Sequence, residues 1–248
     1  MKRLPLISLL LLVTVSLQAH DARPLVLVHA FFEPFVWTES GKSRGLYVDV
    51  LHEVATKRMG VEVQFQEMPW RRAQLHVRNG DADGFITVIT QERLQYTIAN
   101  TVPIAQTDVG LYTYIEHPRL AQMRNIQRIE QLRGYQLLTY LGNSWAAENL
   151  DGMSVDIGGD SIAKVLQKLA EKRGDLFVHG VEITEFQIRR LNLQERVIRV
   201  GKTSLGKVDY HLMLGQHSAF RSRMAEFDQH MRSLYTDGTF QAIWKKYQ

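Results

Sequence analysis

The sequence predicts an α/β protein of two lobes, and three observations lead there. From Pro24 to Ile89, strand-like apolar runs alternate with helical patterns in the order strand, helix, strand, helix, strand, which produces parallel β-α-β units. A second alternation runs from Tyr135 to Gly180 without repeating the first in sequence. The chain then closes with one strand and two helices between Tyr210 and Tyr247.

"PLVLVHAFF", Pro24 to Phe32, is β-rich and almost wholly apolar, as a strand buried on both faces should be. A Glu33–Pro34 turn follows. "GLYVDVLHEVATKRMG" reads as a helix, with Val50, Leu51, Val54 and Met59 near one face and Gly60 as its stop. "VEVQFQEM" alternates strictly and is a strand. "PWRRAQLHVRNG" opens on Pro69 and closes on Gly80, the punctuation of a helix, and "ADGFITVI" is the next strand.

In the second half "YQLLTYL" and "SVDIG" are strands, with a helix starting in "NSWAAENL" between them. "SIAKVLQKLAEKRG" is a helix capped by Ser161 or Asp160, and "DLFVHG" is a strand. "YHLMLG" is a last strand, and "RMAEFDQHMRSLYTDG" and "TFQAIWKKY" are the closing helices.

The first 19 residues pair Lys2 and Arg3 with an apolar run from Leu4 to about Leu17 and a small residue, Ala19, and the run is ended by Gln18, His20 and Asp21. That is the pattern of a cleavable export signal, and the run is short of the roughly 20 apolar residues that span a bilayer. Cleavage is expected near Ala19, leaving a soluble protein in the periplasm. Its removal lowers the formal charge from +4 to +2, because 30 basic residues lose two against 26 acidic ones. With Lys and Arg dispersed in "KRMG", "WRRA" and "IRR", nothing points to nucleic acid. The chain has no cysteine, so it has no disulfide and no lipidated cysteine, and its apolar cores must suffice. Its nine histidines are scattered and offer no paired metal-ligand spacing, so neither metal nor cofactor is expected.

Open α/β sheets bind ligands beyond the carboxyl ends of their strands. His29, Phe32 and Phe35 follow the first strand, Thr87, Thr90 and Arg93 follow the third, and "LGNSW", Leu141 to Trp145, follows the first strand of the second half. Arg93 offers a planar fork that matches a carboxylate, and Asn143 with Ser144 places small polar groups at a helix start. A plainer alternative stays open from the residues alone: Arg93 pairs with surface carboxylates and Ser144 only caps its helix. Trp70 and Phe32 could stack on a ligand or simply fill a core.

Six motifs in order resemble the family 3 extracellular solute-binding proteins, the polar amino-acid-binding type of two-lobed receptor, from about Pro24 to Tyr247. They are "FEPFVW", "GLYVDVLHEVATKRMGVEVQF", "PWRRAQLHVRNGDADG", "TQERLQYT", "LRGYQLLTYLGNS" and "LYTDGTFQAIWKKY". The resemblance implies a periplasmic-binding-protein-like fold of type II, each lobe a mostly parallel sheet flanked by helices, with a two-strand hinge near Ile104–Thr107 and Leu205–Tyr210. Residues 24–107 and 207–248 would form lobe 1 and residues 108–206 lobe 2. It further implies a monomer that closes on a small carboxylate-bearing solute and presents it to an inner-membrane transporter permease or a sensor.

Carried onto matching positions, the family pocket puts stacking aromatics at Phe32 and Trp70, the carboxylate-binding arginine at Arg93, and second-lobe donors at Asn143 and Ser144. Tyr140, Gly142, Thr87 and Thr90 belong to the same loops. Two departures follow. Gly180 stands where an aspartate usually receives the ligand's ammonium group, and His29 stands where an acidic residue is usual. An ordinary α-amino acid is therefore unexpected unless Glu182 substitutes. Some proteins of this fold are dehydratases acting on cyclic acids, and Glu182 or His179 could then serve as a general acid; a detached sensory module is a third reading.

Overall fold

The computed structural model describes residues 23–202 and 204–247, so the expected export signal, residues 1–19, lies outside the described residues. The chain begins with β1 (Leu25–His29), followed by a cis Glu33–Pro34 peptide and a small hairpin of β2 (Trp37–Glu39) and β3 (Lys42–Arg44). Ser40 and Gly41 both have positive φ in its two-residue loop, which suits the twist of a tight hairpin.

Helix α1 (Leu46–Leu51) continues as a π-helical stretch, His52–Arg58, in which Met59 donates to the Val54 carbonyl at 3.1 Å. The sequence predicted one uniform α-helix here. The wider turn keeps Val54 and Ala55 buried, while Met59 is only half-buried. Then come β4 (Val63–Glu67), α2 (Trp70–Asn79), β5 (Gly84–Thr87), the one-turn α3 (Gln91–Leu94) and β6 (Thr97–Ala99). Gly80 ends α2 in the left-handed conformation that a residue with a Cβ resists.

Strand β7 (Ala105–Tyr114) leaves this first lobe. The second contains α4 (Leu120–Met123), β8 (Leu137–Tyr140), α5 (Ser144–Asn149), β9 (Val155–Gly159), α6 (Ile162–Ala170), β10 (Leu176–Gly180), α7 (Val181–Arg190) and β11 (Val197–Arg199). Asn143, not Ser144, caps α5 by accepting from the Ala146 amide, and Ser161 caps α6. In α6, Ile162, Val165, Leu166 and Leu169 form one buried stripe at i, i+3, i+4 and i+7. Each such side chain contributes roughly 1.5–3 kcal/mol by leaving water. Strand β12 (Lys207–Gly215) returns to the first lobe, followed by α8 (Met224–Thr236) and α9 (Thr239–Trp244).

The strands form one path in the order β4-β1-β5-β12-β7-β10-β8-β9. β1 is parallel to β4 and β5, and β8 is parallel to β9 and β10, so each lobe has a parallel core built from its β-α-β units. β7 and β12 join the lobes. They pair antiparallel over Ala105–Asp108 and Lys207–Tyr210, then diverge: β12 goes on to pair with β5 and β6, and β7 with β10 and β11. One buried apolar cluster runs from Leu27 and Leu51 through Ile104, Tyr112 and Tyr210 to Leu166 and Phe177, so the crossing strands are packed.

Asp228 on α8 fixes the approach to β7. Its buried carboxylate accepts from Asn100 Nδ2 at 3.1 Å, from the Thr101 and Val102 amides at 3.0 and 2.9 Å, and from Thr101 Oγ1 at 2.8 Å.

Candidate ligand-binding cleft

A cavity of 520 Å³ lies where the carboxyl ends of β1, β5, β8 and β10 face one another. That is where parallel strands present loops and helix N-termini. From the first lobe it is lined by His29, Phe31, Phe32, Glu67, Trp70, Thr87 and Arg93; from the second by Tyr140, Asn143, Trp145, Asp160, Ser161, His179 and Gly180. Val109, Val208 and Tyr210 of the crossing strands form its floor.

Arg93 is positioned by the short helix α3, whose cap Thr90 accepts from the Arg93 amide at 3.3 Å. Only 2% of the residue is exposed. Its Nη1 donates to the Val88 carbonyl at 3.0 Å, its guanidinium lies 5.3 Å from the Trp70 ring, and its buried Nε has no hydrogen-bond partner. No carboxylate among the described residues forms an ion pair with it, so the surface-pairing alternative does not describe this arginine. Burial lowers its pKa, because the charged form is poorly solvated.

The remaining polar groups carry no buried negative charge. Asp160 is largely exposed and pairs with Lys164 at 2.8 Å, while Glu67 is exposed and accepts from the Thr38 amide at 2.7 Å. His29 and His179 both have pKa values pushed down by burial, that of His179 to about 4, so both are neutral near pH 7. Burial raises the Tyr140 phenol to about 12 and pushes the Tyr210 phenol well above its ordinary value. The N-caps of α2, α6 and α7, namely Pro69, Ser161 and Gly180, all line the cavity, so three helices turn their partially positive ends toward it. The field therefore favours an anion.

Of the residues expected at the site, His29, Phe32, Trp70, Thr87, Arg93, Tyr140, Asn143 and Gly180 line the cavity. Thr90, Gly142, Ser144 and Glu182 do not. Thr90 is used as a cap. Gly142 and Ser144 instead bridge the lobes: the Gly142 carbonyl accepts from Trp70 Nε1 at 3.1 Å, and Ser144 Oγ donates to Glu92 Oε2 at 2.5 Å. Gln91 N to Glu148 Oε1 at 2.7 Å, and Arg190 with Glu33, add further bridges. The Glu182 carboxylate accepts from Thr107 Oγ1 and lies outside the cavity lining. Phe35, also placed near the ligand by its position, is fully buried and stacks on Tyr47.

Trp145 lines the cavity from the "LGNSW" loop, and Phe31, Ser161 and Tyr210 line it although the sequence does not single them out for the site. The sequence signal for Ser161 was present, since a cap beyond a strand end in such a sheet faces the cleft. Among the described residues no group of three or more His, Cys, Asp or Glu is arranged to hold a metal, and no helix is long and apolar enough to cross a membrane.

Known structures share this architecture. A histidine kinase sensor domain with similarity to periplasmic binding proteins superposes with a TM-score of 0.75 at 20% identity, covering 91% of this chain and 96% of that one. The arginine-, lysine-, histidine-binding protein ArtJ from Geobacillus stearothermophilus gives 0.72 at 18%, covering 91% and 95%. The GluR0 ligand-binding core from Nostoc punctiforme in complex with L-glutamate gives 0.69 at 21%, covering 90% and 99%. Comparison with curated protein sequences gave no match. The sequence profile of the bacterial extracellular solute-binding proteins, family 3, matches residues 25–248, nearly all of the chain, and the protein belongs to that family.

Proposed function

We propose that this protein binds a small carboxylate-bearing solute between its lobes and closes on it for delivery to an inner-membrane transporter permease or a sensor. The observation that carries the reading is Arg93: nearly fully buried, at the cavity wall, with a free Nε and no carboxylate partner of its own among the described residues. An uncompensated buried cation is costly, and an anionic ligand supplies the missing partner.

The lobes are residues 24–107 with 207–248, and residues 108–206. The antiparallel pairing of β7 with β12 supports a hinge at their crossing. Bridges between the two lobes, Trp70 to Gly142 and Arg190 to Glu33, support a mechanism of closure. The charged start and apolar run of residues 1–19 support export to the periplasm by a cleaved signal. The protein acts as a monomer, without a cofactor or catalysis.

The test has two steps. Small molecules released from denatured purified protein are identified by mass spectrometry, and the identified solute is titrated calorimetrically into wild type, Arg93→Ala and Arg93→Lys. Arg93→Ala should lose roughly 2–5 kcal/mol of binding, and Arg93→Lys should recover only part of it because it lacks the planar fork. Unchanged affinity in Arg93→Ala, or an identified solute with no acidic group, overturns the reading. Chemical turnover of the solute would make the protein an enzyme.

A further inference from the structure

The walls of the cavity hold an unused hydrogen-bond acceptor opposite in character to Arg93. His179 is the penultimate residue of β10 and contacts the cavity. Its Nδ1 lies 3.1 Å from Thr184 Oγ1, and that hydroxyl already donates its proton to the Gly180 carbonyl at 2.7 Å. Thr184 can therefore only accept from His179, which fixes the proton of the imidazole on Nδ1. Nε2 is left with a lone pair and has no hydrogen-bond partner among the described residues. Phe177 stacks on the ring at 5.1 Å, and Phe32 and Tyr140 meet it edge-on at 6.2 and 5.8 Å, so its orientation is held.

His29, the other cavity histidine, is fixed the same way: Nδ1 donates to the Ala30 carbonyl at 3.0 Å. Its Nε2, however, is occupied by Ser43 Oγ at 3.4 Å. His179 alone of the two is free to accept from a ligand.

A neutral acceptor suits a neutral donor. A ligand ammonium group would need a buried counter-charge; the cavity carboxylates Glu67 and Asp160 are exposed and already engaged by the Thr38 amide and Lys164, and position 180 is tight for another. A Cβ there would lie 2.9 Å from Thr107 Cγ2 and 3.2 Å from both Ile183 Cδ1 and the Tyr210 hydroxyl. Phe31, Phe32, Trp70, Trp145 and Tyr210 leave the middle of the cavity to aromatic or bulky apolar groups.

Resting on the carboxylate reading above, we infer that the solute is an aromatic or bulky apolar carboxylic acid whose second polar group is an uncharged hydroxyl, received by His179 Nε2, and that α-amino acids are excluded.

Calorimetry with four probes that share one skeleton tests this: 3-phenylpropionate, 3-phenyllactate, 3-(4-hydroxyphenyl)propionate and L-phenylalanine. Wild type should bind one of the two hydroxy acids at least 10-fold more tightly than 3-phenylpropionate and L-phenylalanine. His179→Phe should reduce the ratio of hydroxy-acid to 3-phenylpropionate affinity, read within the variant, to below about twofold. Imidazole 15N spectra of wild type provide a readout independent of that variant's folding. The non-protonated Nε2 resonance should move upfield on adding the preferred hydroxy acid and stay fixed with 3-phenylpropionate. L-phenylalanine binding as tightly as the best hydroxy acid, a preference that survives in His179→Phe, a stationary Nε2 resonance, or no binding by any probe overturns the inference. If L-phenylalanine binds best but still requires Arg93, only the hydroxy-acid class falls; if binding is indifferent to Arg93→Ala, the carboxylate reading falls with it.

Discussion

Replacing Arg93 by methionine separates a binding arginine from a structural one. Methionine keeps most of the unbranched stem and removes the charge. The protein loses the charge-assisted bond from Nη1 to the Val88 carbonyl, 3.0 Å long and worth roughly 1.5–3 kcal/mol. It also loses the cation–π contact with Trp70 at 5.3 Å, worth about 0.5–2 kcal/mol. Against these stands relief from holding a desolvated guanidinium that no carboxylate of the protein offsets, a penalty of several kcal/mol. The opposing effects are of similar size, so Arg93→Met should unfold in urea within about 1 kcal/mol of wild type once both proteins are stripped of solute and refolded. Wild type at 100 times its Kd should gain about 2.7 kcal/mol from the ligand, and the variant less than about 1 kcal/mol at the same ligand concentration. A stripped variant destabilised by more than about 3 kcal/mol that still responds to the ligand would show that Arg93 serves the fold and refute the reasoning.

Gly142→Ala should weaken closure, because φ is +86° and the new Cβ would sit 3.2 Å from Trp70 Cδ1. We expect roughly 1–3 kcal/mol of local strain and a larger radius of gyration at saturating solute; identical scattering to wild type would contradict this. Stability should fall with acid between about pH 6.5 and 4. His179 is held neutral down to about pH 4 in the folded state but binds a proton near 6.5 when unfolded. That protonation costs the folded state about 3 kcal/mol across the window, and buried His29 and His211 add in the same direction. Urea titrations at pH 7 and pH 4.5 read the difference, and equal stability at the two would oppose it. Asp228→Ala should cost about 3–5 kcal/mol in urea, since Asn100 and the Thr101 and Val102 amides lose their acceptor together; a loss under 1 kcal/mol would show that water replaces the carboxylate.

Periodicity made the β-α-β units legible. The strict alternation of Val61–Met68 and the Pro69-to-Gly80 punctuation correspond to β4 and α2, and the stripe of α6 with its Ser161 cap follows the helical spacing. Elements without a period were missed. The β2–β3 hairpin has three-residue strands and only Ser40–Gly41 as a turn signal, and β11 is equally short. The π-helical stretch was invisible because its apolar spacing over a few residues also fits an α-helix. For the cleft, strand ends and the family resemblance pointed to Arg93, Trp70 and His29. They could not separate residues that line the cavity from those that bridge its rims, such as Gly142 and Ser144, because one loop supplies both. Tyr210 lines the floor from a crossing strand, and nothing local marks it.

The position of β12 between β5 and β7 dictates an order of assembly. During synthesis β1, β4 and β5 can associate early, but the edge of β5 has no neighbour until residues 211–214 arrive. The second lobe, by contrast, draws β8, β9, β10 and β11 from one uninterrupted stretch, with β10 and β11 pairing on the adjacent β7, β8 on β10 and β9 on β8. Long-range pairing is the slow step in such topologies. The nascent chain therefore stays incompletely folded until its C-terminal fifth has emerged. A chain stopped short of β12 would carry an open sheet edge and be prone to aggregate.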